Sequence, residues 1–523
     1  MSTPETFLRH LHRNTHEIVP PDWEVDWNDA PLKYKLYRGL PTVPLSAEVP
    51  LTLEEKKPSA ALPELDEIGH FLWYVYGLTQ LCQLADSPFP SAGPMQMMRR
   101  FVPSGGGLYP NELYVYLKIK NVPRGIYHYD AAHHRLVLLR EGDFDGFLSR
   151  ALGDRCDVSA CFGVTFISAM FWKNFFKYHN FSYRLQGLDT GVLIGQLLEV
   201  AKRFGYSAVV FYQFLDRAVN RLLGLSEREE SAYSVIPLSV EPANMRFTDV
   251  HGGSGYSAAE LCSELPAVRH DHYVRSRRVK EHPMLTKANE ASMLESSGSF
   301  RRLEERKHGE SGLQSFYLSR INRLSYDMAT VCRKRFSPEM EFVLDKVTEP
   351  QLAVMLLEAV ASFSYRNDLD GPNSRFSRIS LYGCLYNVDG VPDGAYRYDG
   401  SAHALRRVFP GDHRLRLQEG MSLDNINMFQ VPLCFHVVGD NNHLHSALGS
   451  RGYRIQQMEA GIYVQRLLLA ASAVGMGGRP LLGFREDISD AIYKVNRQGK
   501  TSLIQIPIGP YRPRPSLEGA MHS

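Results

Sequence analysis

The sequence lacks the features that mark several broad classes of protein. No run approaches the roughly 18 uncharged apolar residues that a membrane-spanning helix needs. The first 21 residues contain no apolar segment of the kind found in a secretory signal. The 59 Lys and Arg residues nearly balance the 57 Asp and Glu residues, for a net charge of +2, which argues against nucleic-acid binding through phosphate neutralisation. We therefore expect a soluble protein with no membrane or nucleic-acid partner.

Cysteine is also scarce. The seven cysteines are scattered and form no C-x-x-C pair, so we expect neither a disulfide framework nor a zinc site, and a reducing cytoplasm fits best. Close histidine sets such as His10-x-His12 and His443-x-His445 could bind a metal, but histidines in polar loops are usually solvated, and no metal is predicted. The dinucleotide fingerprint G-x-G-x-x-G and the phosphate loop G-x-x-x-x-G-K-[ST] are missing.

Length and composition indicate a folded protein of more than one domain. The 523 residues include 44% hydrophobic and 22% charged residues, which excludes wholesale disorder. Residues 1–60 are rich in proline and show no helical period, so we expect an extended N-terminal arm. Residues 244–312 are polar and mixed in charge and predict a linker. Two domains are then predicted, over 61–243 and 313–523.

The pattern of apolar residues predicts elements of both types. A helical period begins at Leu65, and another helix is predicted over Thr190–Phe204. Leu113–Ile119 alternates like a strand, and Val164–Met170 is typical of a buried strand.

Two internal repeats indicate a duplication. Gly125-Ile-Tyr-His-Tyr-Asp130 recurs in the second half as Gly394-Ala-Tyr-Arg-Tyr-Asp399. Tyr183-Arg184 recurs as Tyr453-Arg454. The two motifs are repeated at almost the same separation along the chain, and such agreement at two separate places predicts a tandem duplication of one α+β domain. We expect the two copies to pack against each other as a pseudo-dimer within the chain, and two independent domains on a linker are the alternative.

The strongest local signal is a glycine-rich loop that follows Pro103. Ser104 is followed by Gly105, Gly106 and Gly107, which let the backbone approach a flat or anionic ligand closely because no Cβ intervenes. A tight turn before a strand is the alternative interpretation.

These motifs together resemble the SagB-type, McbC-like dehydrogenases of the FMN nitroreductase superfamily. The resemblance is carried by Pro103-Ser-Gly-Gly-Gly-Leu-Tyr-Pro110, Asp26-Trp-Asn-Asp-Ala-Pro31, Phe71-Leu-Trp-Tyr-Val-Tyr-Gly77, Gly125-Ile-Tyr-His-Tyr-Asp130 and Lys177-Tyr178. It covers most of residues 20–240, and the second half resembles the superfamily more weakly.

The resemblance implies a fold, a cofactor and a reaction. The implied fold is α+β, a mixed sheet wrapped by helices, here duplicated, with FMN bound where two copies meet. Family members oxidise thiazolines and oxazolines in peptides to thiazoles and oxazoles. The family's catalytic Lys-Tyr pair falls on Lys177 and Tyr178. A lysine accepts a proton near neutral pH only if burial or a nearby cation lowers its pKa, and His179 and Arg184 are the neighbours in sequence.

The two copies differ in which of these motifs they contain. Ala447-Leu448 stands where the first copy has Lys177-Tyr178, and the Pro-Ser-Gly-Gly-Gly motif is missing from the second copy. The second copy has Arg333-Lys-Arg-Phe336, which resembles the superfamily's phosphate-binding start and precedes a predicted helix. A basic run at a helix start favours a bound anion. The second copy also has Gly475-Met-Gly-Gly-Arg-Pro-Leu-Leu-Gly-Phe484, which resembles the segment beside the flavin ring.

We therefore expect one asymmetric FMN site per chain. The second half would contribute Arg333, Arg335, Leu482, Gly483 and Arg512. The first half would contribute the Pro103–Gly107 loop and the Lys177-Tyr178 pair. A homodimer with sites between chains is the alternative.

The predicted function is oxidation of a thiazoline or oxazoline in a ribosomal peptide or a carrier-protein-bound intermediate. Hydride would pass to FMN and electrons to dioxygen. A peptide substrate, a carrier protein or a cyclodehydratase complex would be the partners. Two alternatives remain, an NAD(P)H-dependent nitro- or quinone reductase and a non-catalytic flavoprotein that docks to a peptide-modifying complex.

Overall fold

The computed structural model describes residues 3–13, 18–54, 61–84, 96–241, 255–303, 314–360, 365–371, 377–513 and 516–520. The strands in this part of the chain are β1 (Thr42–Pro44), β2 (Gln80–Leu84), β3 (Gln96–Arg99), β4 (Asn111–Leu117), β5 (Gly125–Asp130), β6 (Arg135–Glu141), β7 (Gly163–Met170), β8 (Ser207–Val210), β9 (Glu230–Ser239), β10 (Ser315–Tyr317), β11 (Arg366–Asn367), β12 (Ser380–Leu385), β13 (Gly394–Asp399), β14 (Ala404–Pro410), β15 (Leu433–Asp440), β16 (Gly477–Gly478), β17 (Lys500–Gly509) and β18 (Ser516–Ala520).

The same part of the chain also forms α-helices. They are α1 (Pro4–Arg13), α2 (Leu65–Tyr76), α3 (Asp145–Ala151), α4 (Trp172–Tyr178), α5 (Ser182–Phe204), α6 (Asp216–Leu223), α7 (Ala258–Glu264), α8 (Pro283–Ser292), α9 (Met328–Lys334), α10 (Glu349–Val360), α11 (Arg414–Glu419), α12 (His445–Leu448), α13 (Arg451–Ala473) and α14 (Glu486–Tyr493). The helices predicted from Leu65 and over Thr190–Phe204, and both predicted strands, are confirmed within a few residues, although α5 begins earlier.

Two large sheets share one topology, which confirms the duplicated α+β fold. The first sheet has the order β1-β6-β5-β4-β7-β9-β8, and the second has the order β10-β14-β13-β12-β15-β17-β16. These pairings are antiparallel. The short β11 of the second half adds to the first sheet in parallel with β8, so that sheet is mixed.

Strand β4 shows why the sheet is buried on both faces. Leu113 and Val115 lie in the core that includes the long helix α5, whereas Tyr114 and Tyr116 lie in a second core with residues of α3 and α6. Successive side chains of a strand point to opposite faces, so each face of β4 packs against its own set of helices.

The two halves meet at the crossing of α5 and α13. A methyl group at Gly191 would lie 2.0 Å from the Met458 carbonyl oxygen, and one at Gly461 would lie 2.3 Å from the Leu188 carbonyl oxygen. Only glycine permits backbones to approach this closely. The ring of Tyr183 stacks on that of its repeat counterpart Tyr453, with centroids 6.2 Å apart. The halves therefore pack directly against each other.

The terminal segment and the region between the halves are more ordered than expected. Within the predicted extended arm of residues 1–60, residues 4–13 form helix α1, and β1 joins the first sheet by pairing with β6. The predicted linker contains α7 and α8, and Leu285 and Ala288 of α8 are fully buried. Residues 242–254 and 304–313 of that region lie outside the described residues.

The C-terminal strand crosses back to the first half. Strand β18 pairs antiparallel with β2, which pairs with β3 to complete a third sheet. None of the helices described above is both long and apolar enough to span a membrane.

Candidate functional site

The Pro103–Gly107 loop is held by a buried carboxylate on α5. Ser104 Oγ donates a hydrogen bond of 2.6 Å to Asp189, and the Gly105 N–H donates one of 3.2 Å to the same carboxyl group. The Tyr109 N–H in turn donates to Ser104 Oγ at 2.9 Å. Burial raises the pKa of Asp189 to about 7, although the bonds from Ser104 and Gly105 oppose that shift. Asp189 therefore fixes the loop and titrates near neutral pH.

The loop lies directly against the predicted catalytic pair. Gly106 has a φ of +64°, and a methyl group there would lie 2.6 Å from the Tyr178 hydroxyl oxygen and 3.0 Å from Lys177 Nζ. Lys177 and Tyr178 end helix α4, and both are partly buried. The structure thus brings together two motifs that lie far apart in sequence, and only a glycine fits between them.

A second lysine lies near the next glycine of the loop. Lys33 Nζ is 4.0 Å from the position of a methyl group at Gly107. Burial lowers the pKa of Lys33, and Arg100 and Lys177 lower it further. No carboxylate pairs with either lysine among the residues described. Two lysines with a lowered pKa therefore lie close to the loop.

The environment of Lys177 matches the requirement for a lysine base, but through a different neighbour than expected. Burial lowers the pKa of Lys177, and the charge of Arg479 from the second half adds to that effect. Arg184 does not contribute, because it is buried and pairs with Glu486 at 2.8 Å. Burial raises the pKa of Tyr178, so its hydroxyl stays protonated.

Helix α4 is anchored one turn before the pair. Lys173 is fully buried, pairs with Glu112 and donates a hydrogen bond of 3.3 Å to the Tyr109 carbonyl oxygen. His128 also bonds Glu112 at 2.8 Å. Against the effect of burial, Lys173 and His128 hold the pKa of Glu112 below its usual value. This ion pair ties α4 to the strand that follows the glycine loop.

Arg335 reaches the same region from the second half. Its Nε donates to the Phe101 carbonyl oxygen at 2.9 Å, and Arg99 donates to the Arg335 carbonyl oxygen at 2.7 Å. Burial and the nearby Arg99 lower the pKa of Arg335 to about 10. Among the described residues no carboxylate pairs with this buried guanidinium. An anion is the ligand that would compensate it.

Arg333 differs from Arg335 in position. It is exposed and donates a hydrogen bond of 2.9 Å to the Leu51 carbonyl oxygen. The expectation of a basic helix start is wrong, because Arg333 and Lys334 lie in the last turn of α9 and Arg335 caps it. Cations at a helix C-terminus are favourable without an anion, so the helix itself does not argue for phosphate.

The predicted residues Leu482, Gly483 and Arg512 lie in the second half. Gly483 is exposed and packs against Ser422, Leu482 is buried, and Arg512 is exposed. The N–H groups of Leu482 and Gly483 have no hydrogen-bond partner within the described part of the chain. Tyr511, which precedes Arg512, stacks on Phe336, the residue after Arg335, with ring centroids 5.0 Å apart.

The repeat counterpart of this site is filled by protein. Tyr212 and Gln213 correspond to Leu482 and Gly483, and their N–H groups donate hydrogen bonds of 2.8 and 3.0 Å to Asp368. Glu459, the counterpart of Asp189, bonds Arg378 at 2.9 Å instead of a glycine loop. By the register of β4 and β12, the counterpart of the loop is residues 371–375, and all but the first of these lie outside the described residues.

Comparison with protein families identifies the first half. The nitroreductase family model matches residues 63–238. Residues 63–238 are a nitroreductase-family domain. This domain contains the glycine loop, Lys177, Tyr178 and Asp189.

Known relatives of the nitroreductase domain cover part of the chain. The chain is 27% identical over 242 residues to the trifolitoxin-processing protein TfxB of Rhizobium leguminosarum bv. trifolii, which is 44% of this chain and 61% of TfxB. It is 24% identical over 133 residues to a protein of Methanocaldococcus jannaschii named as a nitroreductase, 25% of this chain and 64% of that protein. The chain thus spans less than two thirds of either relative.

A solved structure shares the fold along the whole chain. The crystal structure of a protein from Anabaena variabilis named as a nitroreductase superposes with a TM-score of 0.73 at 21% identity. The match covers 98% of this chain and 100% of that one. The nitroreductase domain and its degenerate second copy therefore form an architecture that another single chain also adopts.

Sequence reasoning missed three residues of the site. Arg479 lies within the segment Gly475–Phe484 that resembles the flavin-ring segment, and Asp189 lies five residues after Arg184, in the first copy of the Tyr-Arg motif. Lys33 follows the aromatic motif of the N-terminal segment. Each is remote in sequence from the groups it meets, so no local pattern revealed the contact.

Proposed function

We propose that the chain binds one FMN between its halves and oxidises an azoline ring in a peptide. The observation that carries this proposal is the composite site. In the nitroreductase domain, Gly106 lies against Lys177 and Tyr178. The second half contributes Arg479, whose charge acts on Lys177, and Arg335, which bonds the Phe101 carbonyl oxygen two residues before the loop. The repeat counterpart of this site lacks these groups and is closed by its own ion pairs.

The residues present fit FMN. The buried Arg335, which pairs with no described carboxylate, suits a phosphate group. The partnerless N–H groups of Leu482 and Gly483 suit an acceptor on a ring edge, because a carboxylate binds their counterparts in the other half. The absence of a side chain at Gly106 lets the loop backbone lie against the Tyr178 hydroxyl, where a methyl group would come within 2.6 Å of the oxygen.

The chain's own groups then have defined roles. When bound, FMN supplies a two-electron acceptor for the hydride of the substrate ring and passes the electrons on to dioxygen. Lys177, whose pKa is lowered, accepts the proton that the ring loses. Tyr178 keeps its proton and donates a hydrogen bond to the ring. Asp189 holds the glycine loop, and the loop positions Lys177 and Tyr178.

Support for a peptide substrate comes from the relative TfxB, whose name describes the processing of trifolitoxin. The motifs that resemble SagB-type dehydrogenases all fall within residues 20–240, the part of the chain that contains Lys177 and Tyr178. A carrier protein or a cyclodehydratase complex would present the ring.

The test is turnover of a thiazoline- or oxazoline-containing peptide with FMN. Lys177→Ala is expected to reduce turnover by at least about 100-fold while the FMN content stays at the wild-type level. Lys202→Ala, an exposed lysine on α5, is the matched control and is expected to keep full activity.

Two outcomes would replace the proposal. Fast reduction of the flavin by NADPH, independent of Lys177 and without azoline oxidation, would indicate a nitro- or quinone reductase. Full product formation by a peptide-modifying complex that contains the Lys177→Ala variant would indicate a docking subunit.

A further inference from the structure

The residue after the Lys177-Tyr178 pair has a backbone conformation that favours glycine. His179 has φ 47° and ψ −137°. Its repeat counterpart in the second half is Gly449, which has nearly the same conformation, φ 57° and ψ −149°. The fold therefore requires this conformation in both halves, and the first half places a bulky aromatic side chain where glycine would be unstrained. Strain of this kind persists only where the surroundings hold it.

The contacts of the His179 side chain hold this strained backbone conformation in place. Its Nδ1–H donates a hydrogen bond of 3.2 Å to the Ile18 carbonyl oxygen. The imidazole also packs edge-on against the ring of Trp23, with centroids 4.6 Å apart, and at a tilt of 34° against the ring of Phe175 of α4, with centroids 4.8 Å apart. Trp23 Nε1 donates to the Phe176 carbonyl oxygen at 3.1 Å. His179 thus joins the N-terminal segment to the helix that bears the catalytic pair.

The segment that His179 anchors continues over the candidate site. The ring of Trp27 lies 5.3 Å from Lys177 Nζ and 5.5 Å from the ring of Phe176. Further along the same segment, Lys33 Nζ lies beside Gly107. We name residues 18–35 the covering segment. Trp27 is 46% exposed, so one part of its ring stays open at the edge of the site.

We propose that His179 is a positioning residue that fixes the covering segment over Lys177 and Tyr178. The strained backbone is retained because a glycine could not make the contacts with Ile18 and Trp23. The covering segment then forms a wall of the substrate site with Trp27 and Lys33. The part of this inference that concerns turnover rests on the proposed function, whereas the anchoring does not.

The test replaces His179 by glycine in the full chain and follows amide hydrogen exchange, FMN content and turnover. His179→Gly is expected to accelerate exchange in the covering segment at least tenfold and to lower turnover of an azoline peptide at least tenfold, with FMN content unchanged. Its unfolding temperature is expected to stay level or rise, because the backbone strain is relieved. His179→Gln, whose amide can donate to the Ile18 carbonyl oxygen, is expected to restore part of the protection.

Gly449→Ala is the matched control. No atom lies within 4 Å of a methyl group at Gly449, so the substitution adds the backbone strain alone. It is expected to lower the unfolding temperature and to leave exchange in the covering segment unchanged. Wild-type exchange of residues 18–35 in His179→Gly would overturn the proposal. If His179→Gly accelerates exchange in residues 18–35 but the wild-type protein oxidises no azoline, the proposed function is overturned and the anchoring role of His179 is supported.

Discussion

Asp368 accepts a hydrogen bond of 2.8 Å from the backbone N–H of Tyr212, across the boundary between the two halves. Asp368 also pairs with Arg155 at 3.0 Å, and all three residues are buried. The repeat counterpart of Tyr212 is Leu482, whose N–H has no partner in the part of the chain that the structure describes. One of two equivalent positions is thus closed by a carboxylate of the protein, and we propose that the other accepts a ligand.

Arg335 is expected to bind the phosphate of FMN. Arg335→Met should raise the Kd for FMN by roughly 10- to 100-fold, since hydrogen bonds to charged groups contribute about 1.5–3 kcal/mol. The free energy of unfolding of the flavin-free protein should change by only about 1 kcal/mol, because relief of a buried charge offsets the lost bonds from Arg335 to the Phe101 carbonyl oxygen and, at 3.3 Å, to Ser337 Oγ. Flavin fluorescence titration and denaturant unfolding measure the two effects.

Arg333→Met is the control for this prediction. Arg333 is exposed and bonded to the Leu51 carbonyl oxygen, so the Kd for FMN should change less than threefold. Equal losses of affinity in the two variants would show that general positive charge, and not the buried guanidinium, determines binding.

Gly106 and Gly107 separate backbone strain from a steric effect. Both have a φ of +64°, but only a methyl group at Gly106 would contact Tyr178, at 2.6 Å. Both alanine variants should lose about 1 kcal/mol of unfolding free energy from strain. Only Gly106→Ala should reduce turnover by more than tenfold, because it displaces the hydroxyl. Similar turnover in the two variants would mean that Tyr178 does not need its present position.

Asp189 makes stability depend on pH. Its folded pKa of about 7 lies above the unfolded value of 3.8. Protonated Asp189 therefore contributes to the free energy of unfolding in full below pH 3.8. This contribution is lost as the pH rises towards 7, at no more than about 1.4 kcal/mol per pH unit. Asp189→Asn should lack this decline in the flavin-free protein. A difference between wild type and variant that stays constant from pH 4 to 8, measured by urea unfolding, would contradict it.

Much of the fold was predictable because local apolar periodicity and repeated motifs indicate it. Helix α2, strands β4 and β7 and the duplication follow from apolar spacing and from two motifs that recur at nearly equal separations. The helix over residues 4–13 was missed because it is only ten residues long and lies beside proline-rich sequence. Its apolar face packs on the body of the protein, where Phe7, Leu8 and Leu11 are buried.

The candidate site was predictable only in part. The glycine loop and the Lys-Tyr pair form contiguous motifs, and the structure places them together. Their partners Asp189 and Arg479 contribute single side chains from helix α5 and from the second half. The cation that lowers the pKa of Lys177 is set by packing between halves, which no spacing in the sequence encodes.

The crossing of α5 and α13 should be intolerant of any side chain at Gly191. A methyl group there would lie 2.0 Å from the Met458 carbonyl oxygen, whereas one at Gly195 would lie 3.0 Å from the nearest atom, Gln465 Cβ. Gly191→Ala is expected to cost about 3 kcal/mol or more of unfolding free energy and Gly195→Ala about 1 kcal/mol. Equal, small losses would indicate two halves that fold independently.

The central claim is a single FMN site built from both halves of one chain. The most direct measurement is a titration of the flavin-free protein with FMN, with the molar mass of the same sample determined by light scattering. We expect saturation at one FMN per chain of 59.3 kDa, in a particle of one chain. Two FMN per chain would show that the position closed by Asp368 also binds, and failure to bind FMN at all would contradict the account.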